Sequence, residues 1–325
     1  MDYVFTLDKH PVYNSLKHTI EIICKEHGGN LRFDFPVSGP RDIMFHTSRF
    51  HIYRSNIKFS KYNTYILNSP SICFDDWDAL LQGIHSVVVE EYLPGNILKD
   101  SIIKGLLLPF RHLPFISLTK KTHNFLSGSK FNSYLIPPAD KKHSGSKNRD
   151  IILYVGRMTE YKNPFFILEL AKKLKNEYFV MVGKGNLSAK LKSAAKSMGN
   201  VEIIDFIEDK GRLYKDYYGK AKVLVHPPYH EPIGFVIIEA LSASTPVLAS
   251  VNAGASGFLP DNWAIKGHGA EDWVNAIKNL DDSSIKTAER TFEEENLNIE
   301  SLYFKKVAND LNLLMQGKSL PTVTK

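Results

Sequence analysis

From Ile151 onward, apolar runs of strand length recur with a helix's worth of chain between them. The runs are IILYVG (151–156), YFVMVG (178–183), VEIIDFI (201–207), KVLVHP (222–227) and TPVLAS (245–250). Segments of helical period lie between and after them, at about 163–175, 187–198, 209–219 and 234–243. Strands spaced this way cannot be joined by tight hairpins, so the pattern predicts a parallel sheet with crossover helices.

The first half repeats the theme less cleanly. Strand-like runs are YVFTL (3–7), DIMFH (42–46), TYILN (64–68), SVVVEEY (86–92), FISLT (115–119) and SYLIP (133–137), with helices expected at about 15–27, 75–83, 96–108 and 119–127. The polar stretch DKKHSGSKNRD (140–150) has no apolar period and reads as an interdomain linker. The chain of 325 residues is long enough for two domains. The expected division is an N-terminal Rossmann-like domain over 1–140, a linker over 141–150 and a C-terminal Rossmann-like domain over 151–298. An amphipathic helix over 299–316 follows. Two such halves would form a cleft between their strand C-termini, where open α/β sheets bind ligands.

Composition narrows the function classes. Two cysteines, Cys24 and Cys73, are too few for a disulfide framework and suggest a reducing, cytoplasmic setting. No run of about 18 apolar residues suggests a bilayer span, and MDYVFTL lacks the features of a signal peptide. The stretch IIKGLLLPFRHLPFISL (102–118) reads as a helix, a turn and a buried strand, with peripheral contact at a membrane surface as the alternative. Residues 1–150 hold 19 basic and 14 acidic side chains, against 22 and 21 in residues 151–325. The net charge of +6 therefore lies mostly in the first half. That bias suits an anionic acceptor or lipid surface, or simply a solvated face. No basic–aromatic motif points to nucleic acid, and no Cys/His cluster has zinc spacing.

Three strand ends carry candidate chemistry. In YVGRMTEYKNP (154–164), Gly156 ends a strand and Arg157 and Lys162 follow. Asn163 suits an N-cap and Pro164 a first helical turn, so two cations and a helix start face the sheet's end. Fixed positive charge and free N–H donors suit a diphosphate, although solvated loop charges are the plain alternative. In VMVGKG (180–185), Gly183 and Gly185 permit close backbone approach, to a ligand or only within a tight turn. In HEPIGFVIIEAL (230–241), seven residues separate Glu231 from Glu239. Glu231 would lie in the loop and Glu239 on the helix, with Gly234 and Phe235 at the helix start. Carboxylates repel phosphate, so these two should accept hydrogen bonds from hydroxyls. A nucleotide sugar has sugar hydroxyls on one side of a diphosphate and ribose hydroxyls on the other. A dipole-stabilising Glu231 and a surface-paired Glu239 are the alternative reading.

The run EPIGFVIIEAL followed by ASTPVLAS resembles the Glu-x7-Glu motif of retaining GT-B glycosyltransferases, especially glycosyltransferase family 4. The order strand-Gly-Arg…Lys-Asn-Pro, Val-Gly-x-Gly, Glu-x7-Glu, Thr-Pro-Val is also similar to that family, over roughly residues 150–280. The resemblance implies a GT-B fold with two Rossmann-like domains facing across a cleft. It further implies a hexosyltransferase-type activity that moves a sugar, with retention and without metal, from a UDP- or GDP-sugar to a hydroxyl of a glycan, lipid or other acceptor. By the same resemblance Arg157 and Lys162 would neutralise the diphosphate, and Glu231 would hold donor-sugar hydroxyls. Gly156, Gly183 and Gly185 would border the donor, and the backbone of Gly234, Phe235 and Val236 would lie against sugar and phosphate. Glu239 would hold the ribose, and Phe206 and Ile207 would lie along the base. The tail helix would return to the N-terminal domain.

Two departures stand out. The first strand-to-helix loop, DKHPVYNS (8–15), lacks the family's Gly-Gly pair, leaving Asn14 and Ser15 to cap the helix. Where many members place a histidine near the donor sugar, SVVVEEYLPG offers Glu90 or Glu91, and Glu91 is taken as the site residue. An ionised carboxylate there accepts but cannot donate. His46, His51 and His85 are nearby alternatives. These departures motivate a second reading, a GT-B module that binds a nucleotide sugar or glycan without transferring it. A metal-dependent transferase would need an Asp-x-Asp at a strand end; Asp76-Trp77-Asp78 instead reads as a helix start.

Overall fold

The computed structural model describes the chain continuously over 94–298, with Glu300, Ser301 and single positions at 306, 310 and 313; before residue 94 it describes the short strands 2–3, 30–31, 42–46, 51–54, 64–67 and 86–89. Contacts divide the chain into two compact units, Met1–Pro138 with Ser301–Lys325, and Ala139–Glu300.

In the first unit, β1 (Asp2–Tyr3) pairs in parallel with β2 (Asn30–Leu31). β3 (Asp42–His46) and β4 (His51–Arg54) form an antiparallel pair. β4 was not expected: its sequence HIYR contains no apolar run. β5 (Thr64–Leu67), β6 (Ser86–Val89), β7 (Phe115–Ser117) and β8 (Ser133–Leu135) form a parallel sheet in simple sequence order. The greasy stretch after residue 96 becomes helix α1 (Ile97–Leu107), a 3-10 turn (Leu108–Phe110) and the buried strand β7. Helix α2 (Lys120–Ser127) begins at Thr119, whose side chain accepts from Thr122 N–H. The helices expected at 15–27 and 75–83, Asn14 and Ser15, and Glu90 and Glu91 lie outside the described residues.

The second unit carries one six-stranded parallel sheet. Its strands are β9 (Ile151–Val155), β10 (Tyr178–Val182), β11 (Val201–Ile204), β12 (Ala221–His226), β13 (Val247–Ser250) and β14 (Ala264–Ile265). They are ordered β11-β10-β9-β12-β13-β14. The order runs outward from β9 in one direction and from β12 in the other, so the topological switch point falls between these two strands. Helices α3 (Phe165–Lys173), α4 (Ser188–Ala195), α5 (Lys210–Asp216) and α6 (Phe235–Ser242) fill the crossovers, and α7 (Ala270–Lys278) and α8 (Asp282–Glu294) follow. Ile152, Leu153, Tyr154, Phe179, Met181, Val223, Leu224 and Val225 are fully buried, as continuous apolar strands in a two-sided sheet must be.

The polar segment read as a linker is fastened to the second unit. The Arg149 guanidinium donates to the carbonyls of Ala221 and Ala243 and to Thr245 Oγ1, at 3.0, 2.8 and 2.8 Å. His143 and Ser146 donate their backbone N–H groups to Ser242 and Gly219. A segment without apolar period can still be ordered when charge-assisted hydrogen bonds satisfy neighbouring carbonyls.

Candidate functional site

The loops after β9 and β12 flank the switch point, and each carries one half of an ion pair. After β9 the chain passes Gly156 and the exposed Arg157 into a 3-10 turn, Glu160–Lys162. Asn163 closes that turn in the left-handed conformation (φ 54°, ψ 47°). Its side chain does not cap α3, contrary to the N-cap expected; Pro164 supplies the first helical dihedrals. After β12, Glu231 is tied to the far side of the site by a short parallel bridge. Its N–H donates to Asn252 O at 3.0 Å, and its carbonyl accepts from Gly254 N–H at 2.9 Å.

Lys162 Nζ is ion-paired with Glu231 Oε2. Their side chains are only 10% and 14% exposed, so the pair is largely withdrawn from water and each charge depends on the other. His226, the last residue of β12, points its Nε2 at the same Oε2 from 3.8 Å. Burial, and secondarily the Lys162 charge, hold this imidazole well below the usual histidine range. Arg157 and Lys162 also lie over the Tyr161 ring, at 5.3 and 5.5 Å from its centroid.

Gly234 starts α6 at φ 90°, which a side chain rarely adopts, and a Cβ there would press on Glu231 Cγ and Ile237 Cδ1 at 3.3 Å. The half-exposed Phe235 and Val236 follow, with the unpaired N–H groups of any helix start. The other glycines have a different reason. A Cβ on Gly183 (φ 147°) would lie 1.9 Å from Gly156 O, and one on Gly185 would lie 2.3 Å from Met158 O. The close approach seen is therefore to the loop after β9, which the β10 loop locks through Met158 N–H to Lys184 O and Leu187 N–H to Met158 O.

Glu239 lies further along α6, in a separate setting. Tyr218 OH donates to its Oε2 at 2.7 Å, and Lys210 Nζ stands 3.7 Å from Oε1. Burial raises the Glu239 carboxyl, opposed by Lys210 and by the tyrosine hydrogen bond. Behind Tyr218, Tyr214 OH is hydrogen-bonded to Asp140 and its ring stacks on His143 at 3.6 Å. Phe206, after β11, is exposed. His226, Tyr218 and Lys210 were missed in the sequence. His226 ends an otherwise apolar run, which was a usable signal; Tyr218 and Lys210 carry no local sign of the contact they make. Among the described residues no group of three His, Cys, Asp or Glu side chains is placed to hold a metal ion. No described helix is long and apolar enough to cross a membrane.

The sheet order and the glycine-started helix at its switch point define a Rossmann-like α/β domain. Residues 137–295 match the family of glycosyl transferases group 1, and this part of the chain belongs to that family, glycosyltransferase family 4. Among curated relatives, D-inositol 3-phosphate glycosyltransferase 2 of Catenulispora acidiphila is 29% identical over 157 residues, covering 43% of this chain and 36% of that protein. The Campylobacter jejuni GalNAc-alpha-(1->4)-GalNAc-alpha-(1->3)-diNAcBac-PP-undecaprenol alpha-1,4-N-acetyl-D-galactosaminyltransferase is 30% identical over 145 residues, covering 42% and 39%. The matched region thus spans little more than a third of these relatives. The solved structure of Anabaena HepE in complex with UDP-glucose aligns over 96% of this chain and 99% of its own, with a TM-score of 0.65 and 11% identity. That likeness establishes the GT-B fold.

Proposed function

We propose that this protein is a retaining glycosyltransferase that moves a sugar from a nucleotide-diphospho-sugar to an acceptor hydroxyl without a metal ion. The observation that carries the reading is the joining of Lys162 and Glu231 across the β9–β12 switch point, beside the N-terminus of α6. Lys162 and Arg157 neutralise the donor diphosphate, and the N–H groups of Gly234, Phe235 and Val236 lie against phosphate and sugar. Glu231 accepts from donor-sugar hydroxyls, and Glu239, held by Tyr218, accepts from the ribose. The backbone at Phe206 and Ile207 runs along the base, and Gly156, Gly183 and Gly185 border the donor. The departing phosphate oxygen takes the acceptor proton on the same face as the leaving group. Arg157 and Lys162 stabilise the charge that develops on that oxygen. Glu91 belongs to the same proposal, as a carboxylate that accepts from a hydroxyl of the donor sugar where many family members place a histidine.

HepE was solved with UDP-glucose, which makes uridine donors the first to test. The acceptor is a glycan or a lipid-linked sugar. Ile97, Leu98, Ile102 and Leu108 are exposed near Lys104 and Arg111, which supports peripheral contact with an anionic membrane surface. The deciding experiment measures nucleotide release from UDP-, GDP- and ADP-sugars with acceptor candidates, with and without EDTA. Release insensitive to EDTA is expected. Nucleotide binding without release from any donor would replace this reading with the binding-module one, and loss of release in EDTA would remove the metal-free mechanism.

A further inference from the structure

Five buried side-chain atoms among the described residues have no hydrogen-bond partner: Arg149 Nε, Thr159 Oγ1, Asn163 Nδ2 and both ring nitrogens of His226. Four of the five lie around one ion pair. Thr159 and Asn163 sit on the turn that carries Lys162, and His226 faces Glu231. His226 is 2% exposed, so its two orphaned nitrogens are costly, and an apolar residue of similar size would avoid the cost. A costly group retained beside a functional pair calls for a use.

The geometry suggests one. Glu231 Oε2 is the atom that faces both Lys162 Nζ and His226 Nε2. While Lys162 holds that oxygen, the imidazole stands 3.8 Å away, too far for a hydrogen bond. We propose that His226 is a positioning residue for Glu231: when a donor diphosphate draws Lys162 away, the Nε2–H of His226 takes the carboxylate and keeps it aimed at the sugar hydroxyls. This rests on the donor reading above. A shift of about 1 Å closes the bond. The other titratable groups on the elements packed against His226 are committed elsewhere. Tyr154 on β9 donates to Arg157 O, Glu239 on α6 accepts from Tyr218, and β13 presents Ala249 opposite His226. Lys162 helps hold the ring neutral in the free protein, and a diphosphate that offsets this charge strengthens the ring's hold on its proton.

The test compares the wild-type chain with His226→Phe and His226→Gln. UDP and GDP are titrated calorimetrically, nucleotide release from UDP-glucose and a GDP-sugar is followed at steady state, and urea midpoints are recorded. His226→Phe should fold with an undiminished midpoint, bind nucleotide within about threefold of wild type and lose about tenfold in kcat with KM little changed. His226→Gln, whose amide N–H stands in for Nε2–H, should recover most of the rate. Wild-type turnover in His226→Phe, a Gln variant as slow as Phe, or a rate loss that tracks lost stability would each overturn the role. A wild type that neither binds nor turns over these nucleotides would sink the donor reading itself, and this role with it.

Discussion

The two glutamates of one short segment are held in opposite ways. Glu231 is locked by a cation from another loop, with a neutral imidazole behind it. Glu239 is held by a phenol and by burial, with Lys210 at a longer 3.7 Å. On the donor reading proposed above, Glu231 gives up its lysine to the donor diphosphate and turns to the sugar hydroxyls. A carboxylate steadied by a tyrosine keeps its partner and still has lone pairs for hydroxyls. The same residue type is thus held by a cation at one end of the segment and by a neutral hydroxyl at the other.

Removing the clamp should have the largest effect. Lys162→Ala is expected to lose about 10²–10³-fold in transfer rate, read as nucleotide release, because it removes charge where the leaving group becomes anionic. Retention of the rate within tenfold would show that the pair is structural. The second contrast separates the two ends. Glu239→Ala should weaken nucleotide binding by about ten- to a hundredfold, while Glu231→Gln should chiefly lower kcat. Equal nucleotide affinity in Glu239→Ala and wild type would end the ribose assignment. Tyr218→Phe, which strips the donor from a buried carboxylate, should cost about 1–3 kcal/mol in urea denaturation. An unchanged midpoint would mean that Lys210 alone suffices.

The smallest effect is a difference in sign with pH. His226 is neutral when folded and takes a proton more readily when unfolded, near its ordinary value of 6.5. Its contribution to stability is whole above that value and is lost as pH falls below it. Glu239 is raised above its ordinary 4.5, so the folded state binds its proton more tightly and stability declines as pH rises from 4.5 through the raised value. Urea midpoints across this range should lose the first slope in His226→Phe and the second in Glu239→Gln. Identical profiles for all three proteins would show that neither group titrates differently in the fold.

Much of the second unit was legible because its elements are local. Runs such as IILYVG and YFVMVG lie within a residue of the strands they form, since a continuous apolar run of that length suits a two-sided sheet. The two-residue strand Ala264–Ile265 and the hairpin strand HIYR gave no such signal, because pairing rather than local pattern makes them strands. In the site, Gly234 was readable from its place before an apolar helix. The glycines of the β10 loop were readable only as close-approach positions, and the partner turned out to be the neighbouring backbone.

By itself, then, the sequence determined the periods of the second unit, the residue types after each strand and the motif order that marks the family. Tertiary structure decided which strand ends are neighbours. Setting β9 beside β12 is a property of sheet order, which no local pattern encodes, and it is what brings Lys162 to Glu231 and His226 to both. Burial then did what residue identity could not: it made one histidine neutral and one glutamate reluctant to ionise, because desolvation acts only once the chain has closed around them.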